Sequence, residues 1–509
     1  MKTRDKKPAP KDDKLSKGNK AIPVKTSSKR KRVEDDHVHD HVTAKRTSRG
    51  GNAKTKTRRL GSSVLPKPQK PIPTAKKQER KVSETVNEAP RQPLDVFVFG
   101  EGSGGELGLG SKIVEGLPLT DVSKPRLNTL LSSADVGVVQ IACGGMHAVA
   151  LTKDNKILTW GVNDLGALGR NTNVPEEEDD ELNPAESHPG PIDTSGLDPS
   201  IVWVQVVAGD NASFALTEDG RVYGWGTFRS DEGIIGFSDK ARIQATPVLV
   251  PDLKDIRRLA MGTNHVLALD GKGKVFTWGA GDQSQLARRV VAGHAKSALR
   301  PASIGRLPLR GAKAVKIACG SYHSFAIDQE GRVHGWGLNN YAELAIADGA
   351  GEDGAAVLKP SLIHALENYN VVDIAGGEHH SLACTADGKL LTWGRMDGCQ
   401  VGLRDEVFTE DNTIYDERGN PRILVDPTES PDLPFISLVA AGTDHSFAVT
   451  SKGKAYSWGF ADSGRTGHDV EADVEIPTLI NSKPVREKKL IFAGAGGSFS
   501  ILASAAQDE

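Results

Sequence analysis

Cysteine is scarce in this chain of 509 residues: four thiols, Cys143, Cys319, Cys384 and Cys399, with no Cys-x-x-Cys pair among them. That excludes a disulfide framework and a cysteine-built metal site. Aromatics make up only 5%. No apolar run is long enough to cross a bilayer as a helix, and the hydrophilic N-terminus carries no secretory pattern. The expectation is a protein that works inside the cell and at no membrane. Catalytic signatures are missing too. There is no Gly-x-x-x-x-Gly-Lys-Ser/Thr loop, no His-Glu-x-x-His and no Gly-x-Ser-x-Gly, so neither a bound nucleotide cofactor nor covalent chemistry is indicated.

What is plentiful is glycine, 55 residues, and a repeat. Seven apolar segments end in an aromatic–glycine pair, from Phe99-Gly100 through Trp160, Trp225, Trp278, Trp336 and Trp393 to Trp458-Gly459. The last six pairs follow an Ala-x-Gly-x-x-His-like turn with His147, His265, His323, His380 or His445, or Ala212 in the degenerate copy. The first pair has no turn before it, and the last turn, ending at Phe499, has no pair after it. Two orphans that complete each other imply a closed ring. Asp219-Gly220, Asp387-Gly388 and their equivalents mark hairpin turns between short apolar strands. Successive Trp–Gly pairs lie 53 to 65 residues apart, longer than the ~40–45 of WD40 units. The reading is an all-β, seven-bladed propeller over residues 94–503, closed by pairing of 94–99 with 490–503, and a C-terminal tail at 504–509.

The net charge of −2 hides a division. Residues 1–93 carry 27 Lys/Arg against 10 Asp/Glu, a balance of +17, and the remainder a balance of −19. Residues 1–93 show no strand or helix period and are expected to be disordered. Within them Lys29, Arg30, Lys31 and Arg32, then Lys45 and Arg46 after a 12-residue spacer, resemble a bipartite nuclear-import signal. No aromatics interleave the basic residues, so phosphate contacts are expected without base readout.

Gly100-Glu101-Gly102-Ser103-Gly104-Gly105 satisfies a dinucleotide fingerprint literally, but no helix pattern follows and the motif recurs one unit later as a repeat turn. One histidine per blade would be spread around the ring, which favours packing over metal binding.

These repeats resemble the regulator of chromosome condensation family, of fungal type, over about four-fifths of the chain. The resemblance implies the same propeller, and Gly226–Gly236 is similar to the β-wedge with which the family's exchange factor for the Ran GTPase presses on the nucleotide-binding region. By position, Phe228, Arg229, Ser230, Asp231, Glu232 and Gly233 would form the wedge, with Phe228, Arg229, Asp231 and Glu232 at its tip. Asp210, His147, Asn264 and Asp239 would lie on the GTPase-binding face. The basic stretch with Arg288, Arg289, Lys296, Arg300, Arg306 and Arg310 resembles a loop that reaches histones. Implied partners are Ran, an import receptor, and nucleosomes through DNA phosphates; implied localisation is nuclear, on chromatin. Ser103, Asn264, Ala342 and Phe499 depart from the family pattern. A non-catalytic adaptor could carry the same repeats, and Phe228–Gly233 is the segment that separates the two readings.

Overall fold

The computed structural model describes residues 85–507, apart from 176, 178, 179 and 292–294. The six import-signal residues and most of the basic tail fall outside the described residues. Among those described, no helix is long and apolar enough to cross a membrane.

Seven antiparallel sheets of four or five strands form the ring of a β-propeller. Blade II shows the common plan: Val138–Cys143, His147–Thr152 and Ile157–Gly161 pair in order, with Gly190–Pro191 at the rim. Blades III to VII begin at Trp203, Ile256, Ala314, Val371 and Ile436. Blade I is composite. Its inner strands, Leu490–Ala495 and Phe499–Ala505, come from the C-terminus, and its outer strands, Leu94–Gly100 and Val122–Leu127, come from the N-terminus. The seam runs in continuous register from Leu94 opposite Ala505 to Gly100 opposite Phe499. Closure therefore pairs strands that open ends would leave exposed, as the two orphan repeat elements required.

The first strand begins at Leu94, as expected, but the last one runs past the expected limit of 503. Ser504 and Ala505 belong to the closing strand, not to a tail. Residues 85–93 are ordered chain as well. Val86 and Asn87 donate backbone N–H groups to Glu218 O at 2.8 and 2.9 Å. The Asn87 amide, 8% exposed, donates to Thr217 O and Ile256 O. The order is supplied by loops of blades III and IV, so no local periodicity announces it.

The repeat residues are the bonds between blades. The Trp160 indole N–H donates to Glu106 O, Trp225 to Ala167 O, Trp336 to Gln285 O, Trp393 to Glu343 O and Trp458 to Gln400 O, each reaching into the loop of the preceding blade. The glycine after each tryptophan holds a positive φ, 99° at Gly161, and a Cβ there would lie 2.4 Å from Met146 O. At the inner turns the next blade approaches as closely: a Cβ on Gly144 would lie 2.2 Å from Gly209 O.

All five ring histidines are fully buried. His147 Nε2 lies 2.7 Å from Ser213 Oγ, and His265, His323, His380 and His445 lie 2.8–2.9 Å from Ser324, Ser381, Ser446 and Ser500. Each serine belongs to the next blade. Where a blade lacks the histidine, the next lacks the serine: Ala212 is followed by Val266 and Phe499 by Ala148. Polar partners are thus present together or absent together, as burial demands. No group of metal-ligating side chains occurs among the described residues.

Candidate functional site

Strand alternation places the inner turns and the segments after each Trp–Gly pair on one face, and the Asp–Gly hairpin turns on the other. On the first face six blades carry a tight loop after the aromatic–glycine pair. Blade III instead carries a separate two-stranded hairpin, Phe228–Ser230 paired with Gly233–Gly236.

Sequence explains its stiffness. Phe228 is fully buried and stacks with Phe214 and Phe237, ring centroids 5.9 and 6.3 Å apart, while Phe214 meets Trp278 edge-on at 5.5 Å. This aromatic cluster occupies the junction of blades III and IV, one of the two without a His–Ser pair. Phe228 is therefore the root of the hairpin, not its tip. Arg229, Asp231 and Glu232 are exposed, and the turn itself is Asp231-Glu232. The backbone N–H of Arg229 donates to Asn264 Oδ1 at 2.9 Å, tying the first strand to the inner turn of blade IV. Phe228→Ala is expected to lower stability by about 3–5 kcal/mol, the usual cost of emptying an aromatic core site. A denaturant midpoint unchanged from wild type would deny it that role.

Between the hairpin and the central channel lies a cavity of about 170 Å³ bounded by Asp210, Arg229, Asp231, Asn264, Asp282 and Tyr322. Its charge is strongly negative. Burial, then repulsion from Glu378, pushes the Asp210 carboxyl up to about 6, with Arg229 opposing. Burial and neighbouring Asp231 and Glu232 raise Asp282, and burial together with Glu378, Asp210 and Asp231 pushes the Tyr322 phenol up to about 12. A cationic partner would relieve this crowding.

The structure brings together Asp210, Asn264, Arg229, Ser230 and Asp231. It does not bring His147, which is sealed against Ser213, nor Asp239, which pairs with Arg300 at 2.7 Å near the rim and does not border the cavity. Sequence reasoning missed Tyr322 and Asp282; only their positions beside inner turns and aromatic–glycine pairs could have signalled them. Ser103 donates to Glu101 Oε1 at 2.8 Å, and beside Ala342 the Tyr341 and His379 rings meet at 4.7 Å. Burial holds the thiols above their ordinary range, Cys143 and Cys384 at about 12.

On the opposite face a cleft of about 740 Å³ is bordered by Lys272, Lys274, Arg306, Arg310 and Lys313, with no acid in its lining. Two of the six expected loop cations are engaged internally: Arg288 donates to Ala298 O and Arg300 O, and Arg300 binds Asp239. Arg289, Lys296, Arg306 and Arg310 remain exposed.

Residues 95–502 match the RCC1-like domain family. The chain is 42% identical to the protein pim1 of Schizosaccharomyces pombe over 89% of its own length and 81% of that protein's. It is 40% identical to the guanine nucleotide exchange factor SRM1 of Saccharomyces cerevisiae (81% and 87%) and 31% identical to the human regulator of chromosome condensation (81% and 90%). Among solved structures it is similar to Prp20p of Saccharomyces cerevisiae, described with its binding to Gsp1p and histones: TM-score 0.75, 39% identity, 82% of this chain and 93% of that one. Yeast RCC1 (Prp20) in complex with Kap60 gives the same TM-score at 37% identity, over 87% and 97%.

Proposed function

The chain belongs to the RCC1-like family of propellers, and on that premise we propose that it is the guanine-nucleotide exchange factor of a Ran-type GTPase, working on chromatin in the nucleus. The observation that carries this is the rigid hairpin rooted at Phe228, standing beside an acidic cavity on the face that bears the inner turns.

The activity requires no bond to be made or broken. An exchange factor binds the nucleotide-free GTPase more tightly than the loaded form, and linkage weakens the nucleotide by the same factor. A wedge does this only if it resists deformation while its partner yields. Phe228 and the Asn264 hydrogen bond supply that resistance. Arg229 presents a forked cation to phosphate-binding or acidic groups, Asp231 competes for the cations that hold nucleotide, and Asp210 with Asp282 receives basic side chains. Adding the full-length protein to GTPase loaded with fluorescent GDP tests the reading. Release must accelerate at catalytic protein concentrations; an unchanged rate would leave only an adaptor.

Chromatin contact is proposed through phosphates. Residues Lys29–Arg32, Lys45 and Arg46 would serve the import receptor, and the basic tail together with Lys272, Arg306 and Arg310 would engage DNA or acidic histone surface. Because each neutralised phosphate releases condensed counterions, removing residues 1–84 is expected to flatten the salt dependence of DNA binding, by about 0.9 in log–log slope for every phosphate the tail had neutralised. A slope equal to that of the full chain would take the tail out of the interface.

A further inference from the structure

Resting on the exchange reading, we infer that the wedge is positioned from outside its own blade, by a brace on blade IV formed by Leu299 with Arg288 and Arg300, and that these are positioning residues for exchange. The short helix Ala295–Leu299 packs against the returning wedge strand Gly233–Gly236. Leu299 is 4% exposed and lies in the same buried cluster as Phe228 and Phe237. Leu299 lies beside that strand, since a Cβ built on Gly236 would meet Leu299 Cδ1 at an ordinary contact distance of 3.6 Å.

The helix is in turn anchored. The half-buried Arg288 guanidinium donates to Ala298 O and Arg300 O at 3.1 Å each, and to Thr277 O at 3.4 Å on the third strand of blade IV. One cation so fixes the last turn of the helix to the sheet. Beyond it, Arg300 donates to Asp239 Oδ2 at 2.7 Å, reaching the segment that leaves the wedge. A two-stranded hairpin is marginal alone in water. Here its first strand is held at the root and by Asn264, while the second is held at its end by Phe237 and along its length by the brace. Tip groups displaced by as little as ~1 Å lose their alignment with a partner.

Leu299→Ala is expected to lower the kcat of stimulated GDP release about tenfold or more, with KM within about threefold. Leu299→Met, which refills the volume, should restore the rate. The control is Leu307→Ala, also buried but in a separate cluster, which should lose comparable thermal stability and keep its rate. Hydrogen exchange of the Phe228–Gly236 amides should quicken in Leu299→Ala and not in Leu307→Ala. Equal rates and equal exchange protection in the two variants would overturn the brace. Failure of the wild type to stimulate release would instead remove the exchange reading, and hydrogen exchange alone would then decide whether Leu299 holds the hairpin.

Discussion

Replacing Arg229 with alanine is expected to slow stimulated nucleotide release about 30- to 300-fold, the scale of removing one partner from a desolvated interfacial charge pair. The melting temperature should barely move, because exposed substitutions away from caps and cores stay within about 0.5 kcal/mol. The separation follows from the structure. Arg229 is held through its main chain by Asn264, and that bond survives truncation of its exposed side chain. The loss therefore belongs to what the guanidinium touches on the partner. Arg229→Lys divides the effect, since lysine keeps the charge and loses the planar fork. Asp210 supplies a second signature. Its carboxyl, pushed up to about 6, ionises across the working range, so kcat/KM should rise through about pH 6 and lose that limb in Asp210→Asn. Wild-type rates in Arg229→Ala, measured with fluorescent GDP, would show that the hairpin is not the working part.

The ring was legible because its evidence is local and repeated. Trp–Gly, the Ala-x-Gly-x-x-His-like turn and Asp–Gly each impose a backbone geometry, and their order along the chain fixes blade number and closure. The hairpin at Phe228–Gly236 is expected only through its resemblance to a family element, since nothing in its own residues distinguishes a wedge from an ordinary extension. Burial across blade junctions was not legible. His147 and Phe228 both stand in segments predicted to face a partner. Yet each is sealed by residues far away in sequence, Ser213 for the first and Phe214 with Phe237 for the second. Arg288 and Arg300 illustrate the same limit for charge. A run of cations in a loop looks like a binding surface until backbone carbonyls and Asp239 are found to accept from them. Only the His–Ser complement could have been found beforehand, by noticing that Val266 and Ala148 follow the two blades that lack histidine.

That complement sets the second large effect, on acid stability. Burial holds His147 and His380 down to about 4 and His265 to about 3, and places His323 and His445 well below the ordinary 6.5. A histidine whose folded pKa is depressed contributes stability that is complete above about 6.5 and is lost as pH falls toward the folded value, because the unfolded chain takes up the proton first. Five such groups act together between about pH 6 and 4.5. Carboxyls raised by burial oppose them, Glu378 and Asp282 weakly and two others strongly. Glu106, pushed up to about 7, and Asp210, pushed up to about 6, bind protons in the fold before the unfolded chain does. Burial lowers His468 as well, so the histidines outweigh the carboxyls by about two to three protons, a slope of about 3–4 kcal/mol per pH unit, enough to exhaust a domain's usual 5–15 kcal/mol within a few units. Urea midpoints measured from pH 7 to 4.5 should fall with that slope. The double variant His147→Ala with Ser213→Val copies the protein's own pairing of Ala212 with Val266, and should reduce the slope by one proton while keeping the ring closed. A midpoint independent of pH across this range would mean that the histidines are not neutral in the fold, and the account of the blade junctions would fall with it.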